Sequence, residues 1–506
     1  MIFFISMQLM FPLVKTEKVQ YNSPILKEVV KVMTFEGSTY SGSCRYKDID
    51  FTFVFNGEEL RLIPPANKNK TIQLEWIYPP VGNGVHAPSV LTMDEPYLIG
   101  TCNETGATFI FITKQGWHIG SKNSVLFVSI AAYIKCNYDK DSIARMSFSS
   151  PVINSIHPVT KGFDYAMDVE NFSETGVFTI TTQSFDETTT ESQTFMVDNI
   201  QVSVKFSISR NLSTRLNEPP IALNSTMLFE FTPTNDYCFI FKLWYIAKQF
   251  LQYLCYRKNI FLPEVALFSP ADGNKYGKFA TMYILNESGD GEPLILKSGR
   301  YIQQKCIAGI EGKILEDIAN GSLYLRHIPQ SYQSGRAIDA ARFVMITAAF
   351  EWEYKRNFPD GVPKKGTRLK AEAAVSDEIE EKIRSSAGKE REIYKFLKRL
   401  VKSDSLESEI VHTGKVFDDT IGVFGKHLYH LNGTELKYSE MGKRLSSQRN
   451  HYAHGDLDQE FIGSSLLDLI YMEYVVYAIQ LNYYGVDKKS IRLAINDLFH
   501  LNFAIQ

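Results

Sequence analysis

The chain of 506 residues is poor in cysteine and nearly free of net charge, with six cysteines and a formal charge of −3. Cys44, Cys102, Cys136, Cys238, Cys255 and Cys306 stand far apart and form no CxxC pair. That spacing excludes a zinc site of the usual kind and a disulfide-built scaffold. The six read as reduced thiols of a cytoplasmic protein, used as small hydrophobes. The near-neutral balance excludes a global basic field, so contact with nucleic acid needs a local patch. Long apolar runs are also scarce. Met1 to Val14 is apolar but short, with no basic leader before it; an ordinary first strand, or an upstream start codon, is expected rather than a signal peptide. Tyr237 to Tyr256 has the length to span a bilayer, but Lys242, Lys248 and Gln249 interrupt it, so a buried helix is expected and no membrane partner. Sequons such as those at Asn211 and Asn432 carry no weight without a secretory signal. Neither a GxxxxGK[ST] loop nor a dinucleotide fingerprint is present, which disfavours nucleotide hydrolysis.

What is present is the balance of an ordinary globular protein, 44% hydrophobic and 22% charged, long enough for two or three domains. From about residue 35 to 233 the pattern is strand-like. Asp50 to Phe55 and Thr71 to Ile77 alternate apolar and polar residues, and similar runs occur at Ser124–Ile134, Gly176–Gln183, Ile200–Ser209 and Thr226–Thr232. Many short strands at this spacing predict a sandwich or a curved antiparallel sheet. A helix is expected near 239–257, then a further strand at Lys278–Leu285. Around Pro329 to Gly335 the composition turns polar, which sets the expected boundary between a β-rich region, 1–330, and a second region, 331–506. The second region reads as four or five helices: Ile338–Tyr354, Glu390–Lys402, Met441–Ala453, Leu466–Tyr484 and a short one at Lys489–Phe499, with a loop at Asn357–Thr367. Ile393, Phe396, Leu397, Leu400 and Val401 make a helical stripe. Lys395, Lys398, Arg399 and Lys402 then read as the solvated side of that helix. The expected class is therefore α+β, a β-rich N-terminal region followed by an all-α bundle.

Within the bundle stands Gln448-Arg449-Asn450-His451-Tyr452-Ala453-His454-Gly455. Arg449 and His454 enclose four residues, and a polar residue follows the arginine. This resembles the HEPN motif, in which a histidine follows an arginine and a polar residue after four to six intervening positions. The β-rich part before a C-terminal helical domain, and Ala348-Ala349-Phe350-Glu351 in its first helix, resemble the ApeA group of anti-phage HEPN proteins. That resemblance implies a metal-independent endoribonuclease that acts in abortive infection. It also implies a homodimer or higher homo-oligomer, no cofactor, and an N-terminal region that senses a phage-derived trigger and restrains the nuclease.

The residue types suit that chemistry. An imidazole titrates near neutral pH, so His454 fits a general acid or base. Arg449 fits a phosphate, whose developing charge it would offset. Asn450 would orient either group. The neighbouring 2′-hydroxyl serves as nucleophile, so RNA is the expected substrate. On an ideal helix five residues turn through about 140°, so Arg449 and His454 diverge, whereas Asn450 and His454, four apart, share a face. A two-fold dimer would join both types in one cleft. Glu351 and His451 are candidate accessory residues. Two other readings stay open. His451, His454 and Asp458 could form a metal row, unless Gly455 ends the helix first. Alternatively the bundle only dimerises or docks a partner, and the β-rich region binds a protein or another ligand.

Overall fold

The computed structural model describes residues 39–504 except 83–84, 139–141, 168–175, 273–274, 286, 288–299, 456–459 and 462. The apolar run Met1–Val14 and Asp458 therefore lie outside the described residues. The chain is mixed α+β and divides into two compact units. One takes in Met1–Met146, Pro233–Leu243 and Leu262–Glu287; the other takes in Ser147–Thr232, Trp244–Phe261 and Ser288–Gln506.

The first unit is built on antiparallel strands. Glu264–Ala271, Lys275–Ile284, Ile130–Cys136, Thr108–Thr113 and Tyr97–Cys102 follow one another across the sheet. Tyr40–Tyr46, Ile49–Phe55, Leu60–Ile63, Val125–Val128 and Gly120–Lys122 continue it. Alternation decides the faces. Ile49, Phe51, Phe53 and Phe55 are buried while Asp50 and Thr52 face solvent. Phe53 meets Phe111 edge-on at 5.3 Å, and Phe55 meets Tyr133 at 4.8 Å. Two hairpins turn on two residues with positive φ, Lys47-Asp48 and Asn123-Ser124, the conformation that matches the twist of the flanking strands.

One expected strand is a helix. Ile72–Ile77 forms a π-helical turn continuing from Asn69–Thr71. Its wide turn places Ile72 and Ile77, five apart, in the core and leaves Leu74 exposed. Trp76 packs edge-on against Tyr46. A seven-residue apolar alternation satisfies this period about as well as a strand's, and packing under Tyr46 and Phe51 decides it.

The second unit contains an antiparallel meander, Gln193–Val197, Ile200–Leu212 and Ile221–Thr234. Helix α1, Tyr237–Cys255, whose residues from Trp244 on belong to this unit, matches the expected helix, and no helix among the described residues is long and apolar enough to cross a membrane. Helix α2, Glu311–Ala319, lies against the strand Gln193–Val197. Residue 330 lies inside this unit, and beyond it the described residues contain no strand. Seven α-helices follow among the described residues: α3 (Ala340–Asn357), α4 (Gly366–Ser385), α5 (Gly388–Lys402), α6 (Leu406–Leu431), α7 (Tyr438–Ala453), α8 (Ser465–Tyr483) and α9 (Lys488–Phe499).

That is more than the four or five expected, and α4 and α6 account for the difference. Helix α4 carries only a short apolar stripe, Val375, Ile379 and Ile383, of which Ile383 alone is buried. Glycines Gly414, Gly422 and Gly425 interrupt the pattern of α6. Two of them are close approaches: a Cβ at Gly414 would stand 2.3 Å from the Tyr438 ring, and one at Gly425 would stand 2.6 Å from Tyr471. Side chains of neighbouring helices occupy that space, which offsets the helix-propensity cost of glycine.

Candidate functional site

Helix α7 carries the Arg449–His454 motif, and its buried side explains its placement. Met441, Leu445, Gln448 and Tyr452 recur at helical spacing and are all buried. Tyr452 meets Phe343 of α3 edge-on at 5.3 Å. On the adjoining side Arg444 donates twice to Asp468 of α8, Nε to Oδ2 at 2.7 Å and Nη2 to Oδ1 at 2.8 Å. The Tyr429 hydroxyl of α6 donates to the same buried carboxylate. One aspartate thus fastens α6, α7 and α8 together, and the two-pronged geometry fixes the rotation of α7.

Helix α3 is fixed as firmly. Asp339 caps it, accepting from the Arg342 amide at 2.7 Å. Near its start Arg342 pairs with Glu473 of α8 at 2.5 Å. Near its end the buried Glu353 accepts from the Tyr324 amide, Gln480 and Arg356. Glu351 and Arg449 therefore face each other from two held helices. Arg449 Nη2 stands 2.7 Å from Glu351 Oε2, with the arginine side chain 39% exposed and the glutamate 19%.

The other motif residues are placed at the end of α7. Asn450 is exposed and its carbonyl accepts the His454 amide at 3.1 Å. His454 is the capping residue, exposed, with its amide shared with the His451 carbonyl at 3.1 Å. Gly455 follows at φ 95 and stops the helix. His451 is half-buried. The structure thus brings Arg449 to Glu351, and it sets His454 and Asn450 in solvent at the helix terminus. Asp458, the third member of the metal row, is not described. No group of three potential ligands is found among the described residues.

Sequence reasoning missed a further carboxylate. Glu409, in the first turns of α6, is only 4% exposed, and its Oε2 has no hydrogen-bond partner. Burial, and next the charge of Glu351, push its carboxyl up from 4.5 to about 7; Asp404 adds to the rise, while Lys355 and Arg449 oppose it. Asp404 itself accepts from the Val362 amide at 2.8 Å. Next to this cluster the Tyr354 hydroxyl meets His412 Nδ1 at 2.7 Å, and burial lowers the His412 pKa. An acidic residue after Ser405 reads from sequence as a favourable helix start, so no local signal marks Glu409. The arrangement can hold an anion through the free donors of Arg449, and it offers a titratable carboxyl and an exposed imidazole.

Neither a scan against protein-family models nor searches of curated proteins and solved structures returned a match for this chain.

Proposed function

We propose that the C-terminal helices are a HEPN-type ribonuclease that cleaves RNA without a metal, and that the chain acts in anti-phage defence in the cytoplasm. The observation that carries this reading is the pairing of Arg449 with Glu351 on two pinned helices, five residues before an exposed His454. Glu351 holds one guanidinium nitrogen and leaves the remaining donors for a phosphate. In the reaction the 2′-oxygen attacks phosphorus and the P–O5′ bond breaks. A base takes the 2′-hydroxyl proton, and an acid returns one to the 5′-oxygen. His454 serves one of these roles. A second copy of the chain supplies the other from its own His454, so the working unit is at least a dimer through the surface near Arg449. The products are a 2′,3′-cyclic phosphate and a 5′-hydroxyl. The β-rich region contributes recognition of a phage-derived trigger and restraint of the nuclease.

A second reading has its own support. The Arg449–Glu351 pair also suits a purely structural tie between α3 and α7, in a bundle that only dimerises or docks a partner. RNA sequencing of cells after induction separates the two. The nuclease reading expects new transcript ends in cells expressing the wild-type chain and none with His454→Ala. Identical transcript ends in both would favour the binding module.

A further inference from the structure

Helices α4 and α5 form a hairpin that leaves the apolar stripe of α5 uncovered. In α5 the cationic Lys395, Lys398 and Arg399 line a hollow against α4 with Glu380, Ile383 and Ser403, and Lys398 pairs with Glu380. The apolar stripe is turned outward: Ile393 is 59% exposed, Phe396 52%, Leu397 39% and Leu400 50%. At 100° per residue these four fall within an arc of about 100°. With Lys398 tied to Glu380 on the α4 side and this stripe exposed, α5 is missing a cover.

We infer that the cover is the same stripe of a second copy, with the two α5 helices packed antiparallel about a two-fold axis. The spacing is self-complementary. Reflected about the midpoint between Phe396 and Leu397, Ile393 falls on Leu400 and Phe396 falls on Leu397, so each side chain meets an apolar partner. Glu392 and Arg399 are seven apart and both exposed, so they share one edge of the stripe. Under the same reflection the second copy's Arg399 falls two residues from Glu392, about 3 Å along the axis, within reach of an ion pair made twice per interface. A bilayer surface fits less well, because an interfacial helix places its basic residues along the rim of its apolar face. Here Lys398 is tied to Glu380 of α4 instead.

This contact is separate from any pairing at Arg449, and its test involves no RNA. Sedimentation of the full chain should show self-association that Leu400→Glu reduces to half the mass, with unchanged helical content. Glu392→Arg and Arg399→Glu should each weaken association about tenfold or more, and the doubly swapped chain should recover it. Arg449→Ala should leave this contact intact. An unchanged mass for Leu400→Glu overturns the inference. So does a double swap that fails to rescue, or a wild-type chain that binds phosphatidylserine vesicles while its α5 stripe makes no contact between copies.

Discussion

Arg449 of α7 and Glu351 of α3 form an ion pair of 2.7 Å, and the buried carboxyl of Glu409 lies within the electrostatic reach of both. The pair is partly exposed, so its own contribution to stability is about 1 kcal/mol or less. In the proposed nuclease it orients the guanidinium. Glu351→Ala should therefore shift thermal unfolding by only a few degrees but lower RNA cleavage about tenfold or more. A variant with wild-type turnover and wild-type RNA affinity would remove Glu351 from the site.

Glu409 gives the bundle a pH dependence with a definite sign. Its carboxyl titrates at 4.5 when unfolded and at about 7 in the folded chain. Between those values the folded state holds a proton that unfolding releases. The stabilisation is complete below 4.5 and is lost as pH rises to about 7, amounting to roughly 3 kcal/mol. Glu409→Gln should flatten that slope and raise the melting temperature at pH 8, measured by calorimetry across pH 5 to about 8. A parallel pH profile in variant and wild type would show that Glu409 is ionised throughout.

Much of this was legible in the sequence, and the reasons differ from one element to the next. Ile49–Phe55 and α7 were legible because one face is apolar at a fixed period, and Arg449, Asn450 and His454 because their spacing is local. Glu351 was found through the same first-helix segment. Glu409 was not legible, because its burial depends on α3 and α7 closing over the start of α6. The stripe of α5 was legible as a helix but not as an outward-facing one, since period alone does not say which side the chain covers. The turn at Ile72–Ile77 failed for the same reason: the period was read, and the packing chose its use.

The clasp at Asp468 should be a structural keystone. Asp468→Ala leaves the Arg444 guanidinium and the Tyr429 hydroxyl without their shared acceptor. Removing one partner of a buried pair costs about 3 kcal/mol or more. Urea unfolding should register a loss of that order, with Asp468→Asn intermediate. A loss below about 1 kcal/mol would mean that the three helices are held by apolar packing alone.

If the site is shared between copies, two dead chains should repair each other. Arg449→Ala and His454→Ala chains, each inactive alone, should regain part of the wild-type cleavage when mixed and allowed to exchange. Absence of any regain, with exchange demonstrated by labelled chains, would place all working groups within one copy.

The most direct measurement is cleavage of RNA by the purified full chain in EDTA, with the ends of the fragments identified. Since the N-terminal region is expected to restrain the nuclease, the assay is run with and without extract from phage-infected cells. The expected result is cutting in the chelator, ends carrying 2′,3′-cyclic phosphate, and loss of cutting in both Arg449→Ala and His454→Ala with the fold retained. Cutting that stops in EDTA and returns with zinc or manganese, or that persists in His454→Ala, would contradict it.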